Sequence, residues 1–110
     1  MNLEDLRKKY PKGWEEFVEY LNNNFKDVKI DELKDLLIYE IEVNEYMYNV
    51  FGLLMTFFDN KGLYTGIYCS DDGIDWHVEI CGIHIDAYSS REDAELNALS
   101  ECFNTLEKLI

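Results

Sequence analysis

Between Lys61 and Arg91 the chain contains no lysine and no arginine, while the same interval carries Asp71, Asp72, Asp75, Glu79 and Asp86. A stretch so short of cations repels phosphate backbones, which argues against direct DNA or RNA binding through it. Cysteine is scarce too: Cys69, Cys81 and Cys102 are an odd number in apolar surroundings. Buried thiols in a reducing compartment are expected, without disulfides. No run approaches the roughly 18 apolar residues of a membrane span. The start, Met1-Asn2-Leu3-Glu4-Asp5, has neither the basic beginning nor the apolar stretch of a signal peptide. A cytoplasmic protein without membrane association is the expectation. No phosphate-cradling glycine loop, G-x-S-x-G, C-x-x-C or H-E-x-x-H occurs, so nothing marks an enzyme or a cofactor site.

What is present suffices for a packed domain. Of 110 residues 47% are hydrophobic and 15% aromatic, enough for one core spanning 1–110. The net charge of −13 is unevenly spread: residues 1–34 hold seven Lys/Arg and eight acids, residues 35–110 three Lys/Arg and fifteen acids. A field of that sign speeds association with basic surfaces. Asp71, Asp72 and Asp75, with Glu79 beyond them, are therefore the candidate partner-binding residues, and a basic protein is the candidate partner. The same acids also serve solubility and turn formation. Monomer and homodimer both remain open.

The strongest structural signal is Ser89–Ile110. Ser89 and Ser90 suit an N-cap, Glu92 and Asp93 lie in the first turn, and Ala94, Ala98, Cys102, Leu106 and Leu109 recur at helical spacing. Leu99, Phe103 and Ile110 flank that face. A helix lying across a twisted sheet is expected, close to its support at the alanine end. At the other terminus, residues 3–9 should form a short helix ending near Tyr10, because Pro11 disfavours the α region before it. Trp14, Phe17, Val18, Leu21 and Phe25 then mark a second helix, and Asp31 caps a third segment containing Leu33, Leu36 and Leu37. The sequence leaves 38–44 open.

Residues 45–61 read either as a strand turning at Asp59-Asn60-Lys61-Gly62 or as a helix. Tyr46, Val50, Leu53, Leu54 and Phe57 fall at helical spacing, with Asn44 as N-cap and Gly62 just past the end, and the helix is preferred. After Gly62 the period is two. Leu63, Thr65, Ile67 and Cys69 share one face, Tyr64, Gly66 and Tyr68 the other. Asp71-Asp72-Gly73 is a turn, and Trp76, Val78 and Ile80 alternate with Asp75, His77 and Glu79. At Cys81-Gly82 a bulge or tight turn shifts the phase so that Ile83, Ile85 and Ala87 should point inward. The fold class is α+β: N-terminal helices, a small antiparallel sheet of two to three strands, and a long C-terminal helix packed across it.

Phe57-Phe58-Asp59-Asn60-Lys61-Gly62-Leu63-Tyr64, the acidic strand after it, Ser90-Arg91-Glu92-Asp93-Ala94-Glu95 and Cys102-Phe103-Asn104-Thr105-Leu106-Glu107 together resemble a group of small uncharacterised proteins of bacteriophages and prophages of gut bacteria. A fainter echo lies in Tyr10-Pro11-Lys12-Gly13-Trp14. The resemblance covers about the last half of the chain and implies a phage origin, not an activity. With catalytic motifs absent, the expectation is a non-enzymatic accessory or interaction protein, with an acidic nucleic-acid mimic that blocks a host defence protein as the alternative. Were 45–61 a strand, the order of helix, three strands and helix would look like the double-stranded-RNA-binding fold. That fold grips phosphate with a lysine pair at its last helix, where this chain has Arg91-Glu92-Asp93. A β-β-β-α order also resembles the partial RNase H fold of HicB-type antitoxins, by topology alone.

His77 and His84 share strand faces with Glu79 and Asp86, and a thiolate of Cys69 or Cys81 is near in sequence. The H-x₆-H spacing matches no standard metal site, so no metal ligands are assigned. A thiol nucleophile is disfavoured because acidic neighbours raise a thiol pKa.

Overall fold

A computed structural model describes residues 3–24, 40–43 and 46–110 of the chain. The segment capped by Asp31, the packing of Phe25 and the Asn44 cap lie outside the described residues.

Helix α1 (Leu3–Lys9) ends before Pro11, which takes the first position of α2 (Pro11–Asn24), where a missing N–H costs nothing. Tyr10 joins the two. Its N–H donates to the Leu6 carbonyl and its own carbonyl accepts from Trp14 N–H, both at 2.9 Å. Trp14, Phe17 and Leu21 are buried on one face of α2, as their spacing requires.

The segment 45–61 divides, and the preferred continuous helix is corrected. Tyr46–Asn49 is strand β2, paired antiparallel with β1 (Glu40–Val43), Glu40 opposite Asn49 and Val43 opposite Tyr46. Helix α3 covers only Val50–Asn60. The i, i+4 match of Tyr46 to Val50 is outweighed by a ladder partner in the alternating Glu40-Ile41-Glu42-Val43, with two tyrosines of high strand propensity opposite it. Leu54, Phe57 and Phe58 of α3 are buried. Its C-terminus is the expected glycine cap: Gly62 has φ +78°, Gly62 N–H donates to Asp59 O at 3.0 Å, and Leu63 N–H reaches back to Phe58 O at 2.9 Å. The cap delivers Leu63 into the core.

Three strands follow, β3 (Thr65–Cys69), β4 (Trp76–Ile80) and β5 (Ile83–Tyr88), in the spatial order β3-β4-β5 and antiparallel throughout. Thr65 faces Ile80, Ile67 faces Val78 and Cys69 faces Trp76, so these six share the inner face. Cys81 (φ +53°) and Gly82 (φ +80°) form the two-residue turn into β5. Both devices foreseen as alternatives occur, because a register shift also lies between Val78 and Glu79: Glu79 pairs with His84 but Val78 with Asp86, leaving Ile85 as the extra residue. The expected inward run of Ile83, Ile85 and Ala87 is thereby corrected. Past the bulge Ala87 stands opposite His77 on the outer face and Tyr88 opposite Trp76 on the inner one, while Ile83 stays 67% exposed at the hairpin end.

Helix α4 (Arg91–Leu109) lies over the inner face. Its N-cap is Ser90, whose hydroxyl accepts from Asp93 N–H at 3.1 Å, and Ser89 precedes the helix. At 1.5 Å per residue it runs about 28 Å. Ala94, Ala98, Leu99, Cys102, Phe103 and Leu106 are buried. Leu109 and Ile110, expected on the buried stripe, are instead exposed, because the helix outruns the layer beneath it. Its two halves meet different supports. Cys102 Sγ lies 3.3 Å from Thr65 Oγ1 of the sheet, whereas Phe103 stacks on Tyr10 (5.6 Å) and meets Phe58 edge-on (4.9 Å). Gly13 permits the close crossing of α2 and α4: a Cβ there would sit 2.9 Å from the Phe103 ring, and Gly13 N–H donates to Glu107 Oε1 at 2.7 Å. Tyr10 Oη to Ser100 Oγ (2.7 Å) closes the same junction. The sheet's inner face, α4 and the helices thus form one core, and the outer face of β3-β4-β5 is left for the side chains that point away from it. Among the described residues no helix is long and apolar enough to cross a membrane.

Candidate functional site

Alternation places Tyr68, His77 and Glu79 on the outer face, and the pairing of Glu79 with His84 adds a residue from β5. Tyr68 stacks on the His77 ring, centroids 5.2 Å apart and planes 15° from parallel, and its hydroxyl donates to Glu79 Oε1 at 3.1 Å. His77 Nδ1 lies 3.0 Å from His84 Nε2, with the rings tilted by 51°. Loss of water contact, the bond to Glu79 and that carboxylate's charge all raise the Tyr68 phenol above its ordinary pKa.

The four sequence-derived candidates separate in space. Asp71, Asp72 and Asp75 stand in the exposed β3–β4 turn, while Glu79 belongs to the sheet face. Asp72 also builds the turn: its carboxylate accepts from Ser70 hydroxyl and from Ile74 N–H (3.0 Å), and Ser70 Oγ in turn accepts from Asp75 N–H (3.1 Å). Ser70 first, then Ile74, and less strongly the nearby His77, hold the Asp72 carboxyl below the usual carboxylate range. Gly73, at φ +74°, completes the reversal.

Among the described residues no salt bridge reaches Asp71, Asp72, Asp75, Glu79 or Asp86. The bordering cations are engaged elsewhere. Lys61 pairs with Glu16, and Arg91 donates to Glu95 Oε1 at 3.0 Å with its guanidinium over the Trp76 ring. Among the described residues, no ion pair therefore offsets the negative field of the turn and sheet face.

The cysteines do not join this face. Cys69 is on the inner side of β3, Cys81 is exposed in the hairpin turn with its thiol 3.3 Å from Gly62 O, and Cys102 is in the core. Burial pushes the Cys102 thiol up to about 11, so it is a poor nucleophile at neutral pH. Among the described residues no group of three or more His, Cys, Asp or Glu is arranged to hold a metal ion. A cleft of about 430 Å³ between α2 and the end of α3 is lined by Glu16, Glu19, Tyr20, Phe57, Asn60 and Lys61, among others, and brings no histidine or thiol into reach.

Tyr68 and the contact between the histidines were not singled out from the sequence. The period of β3 put Tyr68 on the outward side, but its neighbours depend on the register of β3 against β4, and the meeting of the histidines on that of β4 against β5 with its bulge at Ile85. Comparison with protein-family models, with curated proteins and with solved structures finds no match to the chain.

Proposed function

We propose that the chain is a non-enzymatic accessory protein of phage origin, acting in the cytoplasm by binding a basic protein. Asp71, Asp72 and Asp75 make the contact, with Glu79 at its edge. The observation that carries this reading is an exposed acidic turn whose charges meet no cation among the described residues, while Lys61 and Arg91 at its borders are spent on Glu16 and Glu95. Uncompensated charge of one sign raises encounter rates with the opposite sign. Direct RNA binding is not favoured, since the only cation in the first turn of α4 is Arg91. The likeness of the C-terminal half to small phage and prophage proteins supports the origin.

The test is co-purification from a bacterial host lysate at low and high salt, followed by association kinetics with the partner so found. Asp71→Asn, Asp72→Asn and Asp75→Ser together should slow association several-fold, and the deficit should shrink with salt because exposed charges are screened beyond about 8 Å at physiological ionic strength. Asn at 72 keeps an acceptor for the Ile74 N–H, so the turn survives. A partner indifferent to both the substitutions and the salt would overturn the proposal. Competition by DNA for that partner would identify its nucleic-acid site as the target.

A further inference from the structure

We propose that His77 and His84 form a two-imidazole chelate for a borderline divalent cation, Zn²⁺, Ni²⁺ or Cu²⁺, on the outer face of the sheet. The geometry comes first. Nitrogens bound at 2.0–2.1 Å lie about 3.3 Å apart across a tetrahedral edge and about 2.9 Å apart at a right angle. His77 Nδ1 and His84 Nε2 share a hydrogen bond at 3.0 Å, between those two values, and an ion takes its place once the donor ring shifts its proton to the other ring nitrogen. No rearrangement of the strands is needed, because the pairing of Glu79 with His84 and the bulge beside it already bring the two rings together.

Two further features favour a cation there. The His77 ring is held by the parallel Tyr68 ring at 5.2 Å, and Tyr68 is itself tethered through its hydroxyl to Glu79, so one ligand is oriented before any ion arrives. The surroundings are negative: Glu79 stands on the same face, the acidic turn Asp71-Asp72 with Asp75 leads into the strand of His77, and no lysine or arginine occurs between 61 and 91. Imidazole donors suit Zn²⁺, Ni²⁺ and Cu²⁺, whereas Mg²⁺ and Ca²⁺ take oxygen ligands. With His77 and His84 as the two ligands and His84 exposed, water takes the remaining positions.

Isothermal titration of the full chain with NiCl₂ and with ZnCl₂ tests this, run on the parent chain, on His77→Gln, on His84→Gln and on the triple turn variant described above. Circular dichroism verifies that each is folded. The parent should bind one ion per chain, undisturbed by excess Mg²⁺. Loss of even an outer-shell partner costs about 10–100-fold in metal affinity, so either glutamine variant should bind at least ten-fold more weakly. The triple turn variant should keep a saturable site. Absence of saturable binding to the parent, or binding that survives His84→Gln yet disappears in the triple turn variant, would overturn the chelate, the latter by assigning the ion to the aspartates.

Discussion

The two faces of the β3-β4-β5 sheet are built from the same alternating strands, yet they do opposite work. Ile67, Val78 and Ile80 point under α4, where the neighbours are apolar and Cys102 is pushed towards a high pKa by burial. One residue away along each strand, Tyr68, His77 and Glu79 point outward and meet one another through rings, a hydroxyl and a carboxylate. The difference teaches that a period of two separates stability from chemistry within single strands. The inner side is decided by volume and exclusion of water, the outer by charge and hydrogen-bond geometry.

The sharpest way to break this comparison is at the clasp that seats α4. Phe103 is fully buried between Tyr10, Phe58 and Gly13, and Phe103→Ala should cost about 3–5 kcal/mol, from lost transfer energy and the cavity left behind. Urea unfolding followed by circular dichroism measures it. A loss under about 1 kcal/mol would mean that α4 is not held as described.

Alkaline pH probes the covered side more gently. The Cys102 thiol is raised from 9.0 to about 11 by burial, chiefly, with Thr65 opposing the shift. Below pH 9 both the folded and the unfolded chain keep the proton. Between about 9 and 11 the unfolded chain releases it and the folded one does not, so stability falls as pH rises, by roughly 2–3 kcal/mol across the window. Burial raises the Tyr88 phenol too, with Asp86 and Glu101 adding to it, and this acts in the same direction. The contribution of Cys102 is therefore read as the difference between the parent chain and Cys102→Ala, whose stability should decline less over that window. Parallel pH profiles would place the thiol in water.

The smallest effect belongs to the open side. Tyr68→Phe removes the hydroxyl from Glu79 but keeps the ring on His77, and at an exposed site it should change stability by no more than about 0.5 kcal/mol. Thermal denaturation checks it. A cost above 1 kcal/mol would show that the outer face, too, is a structural surface.

Features carried by a few consecutive residues were legible in advance. Ser90 with Asp93, Tyr10 before Pro11, and Gly62 after Lys61 each satisfy or terminate a helix by bonds spanning three to five positions, and each lies where its residues imply. The α+β class followed from the same signals, since alternation after Gly62 and helical spacing after Ser90 are both strong. The misjudged elements share a different cause. Tyr46–Asn49 matched a helix over 45–61 but became a strand because residues 40–43 offered a ladder, and Leu109 continued an apolar stripe that has nothing to cover.

The sequence by itself determined which segments are helical or extended where caps and periodicity agree, how the charge is distributed, and that one side of β3 and of β4 is apolar. Those properties depend on neighbours along the chain, and local backbone sterics and side-chain spacing suffice to set them. Only the tertiary structure decided that His77 meets His84, that Glu79 leaves the aspartates for Tyr68, and that Ala87 turns outward. The first and the last depend on one extra residue at Ile85 in the pairing of β4 with β5, and the second on the unbroken register of β3 with β4. Strand pairing joins residues distant along the chain, so local spacing cannot set it, and a slip of one residue reverses the side that each side chain takes.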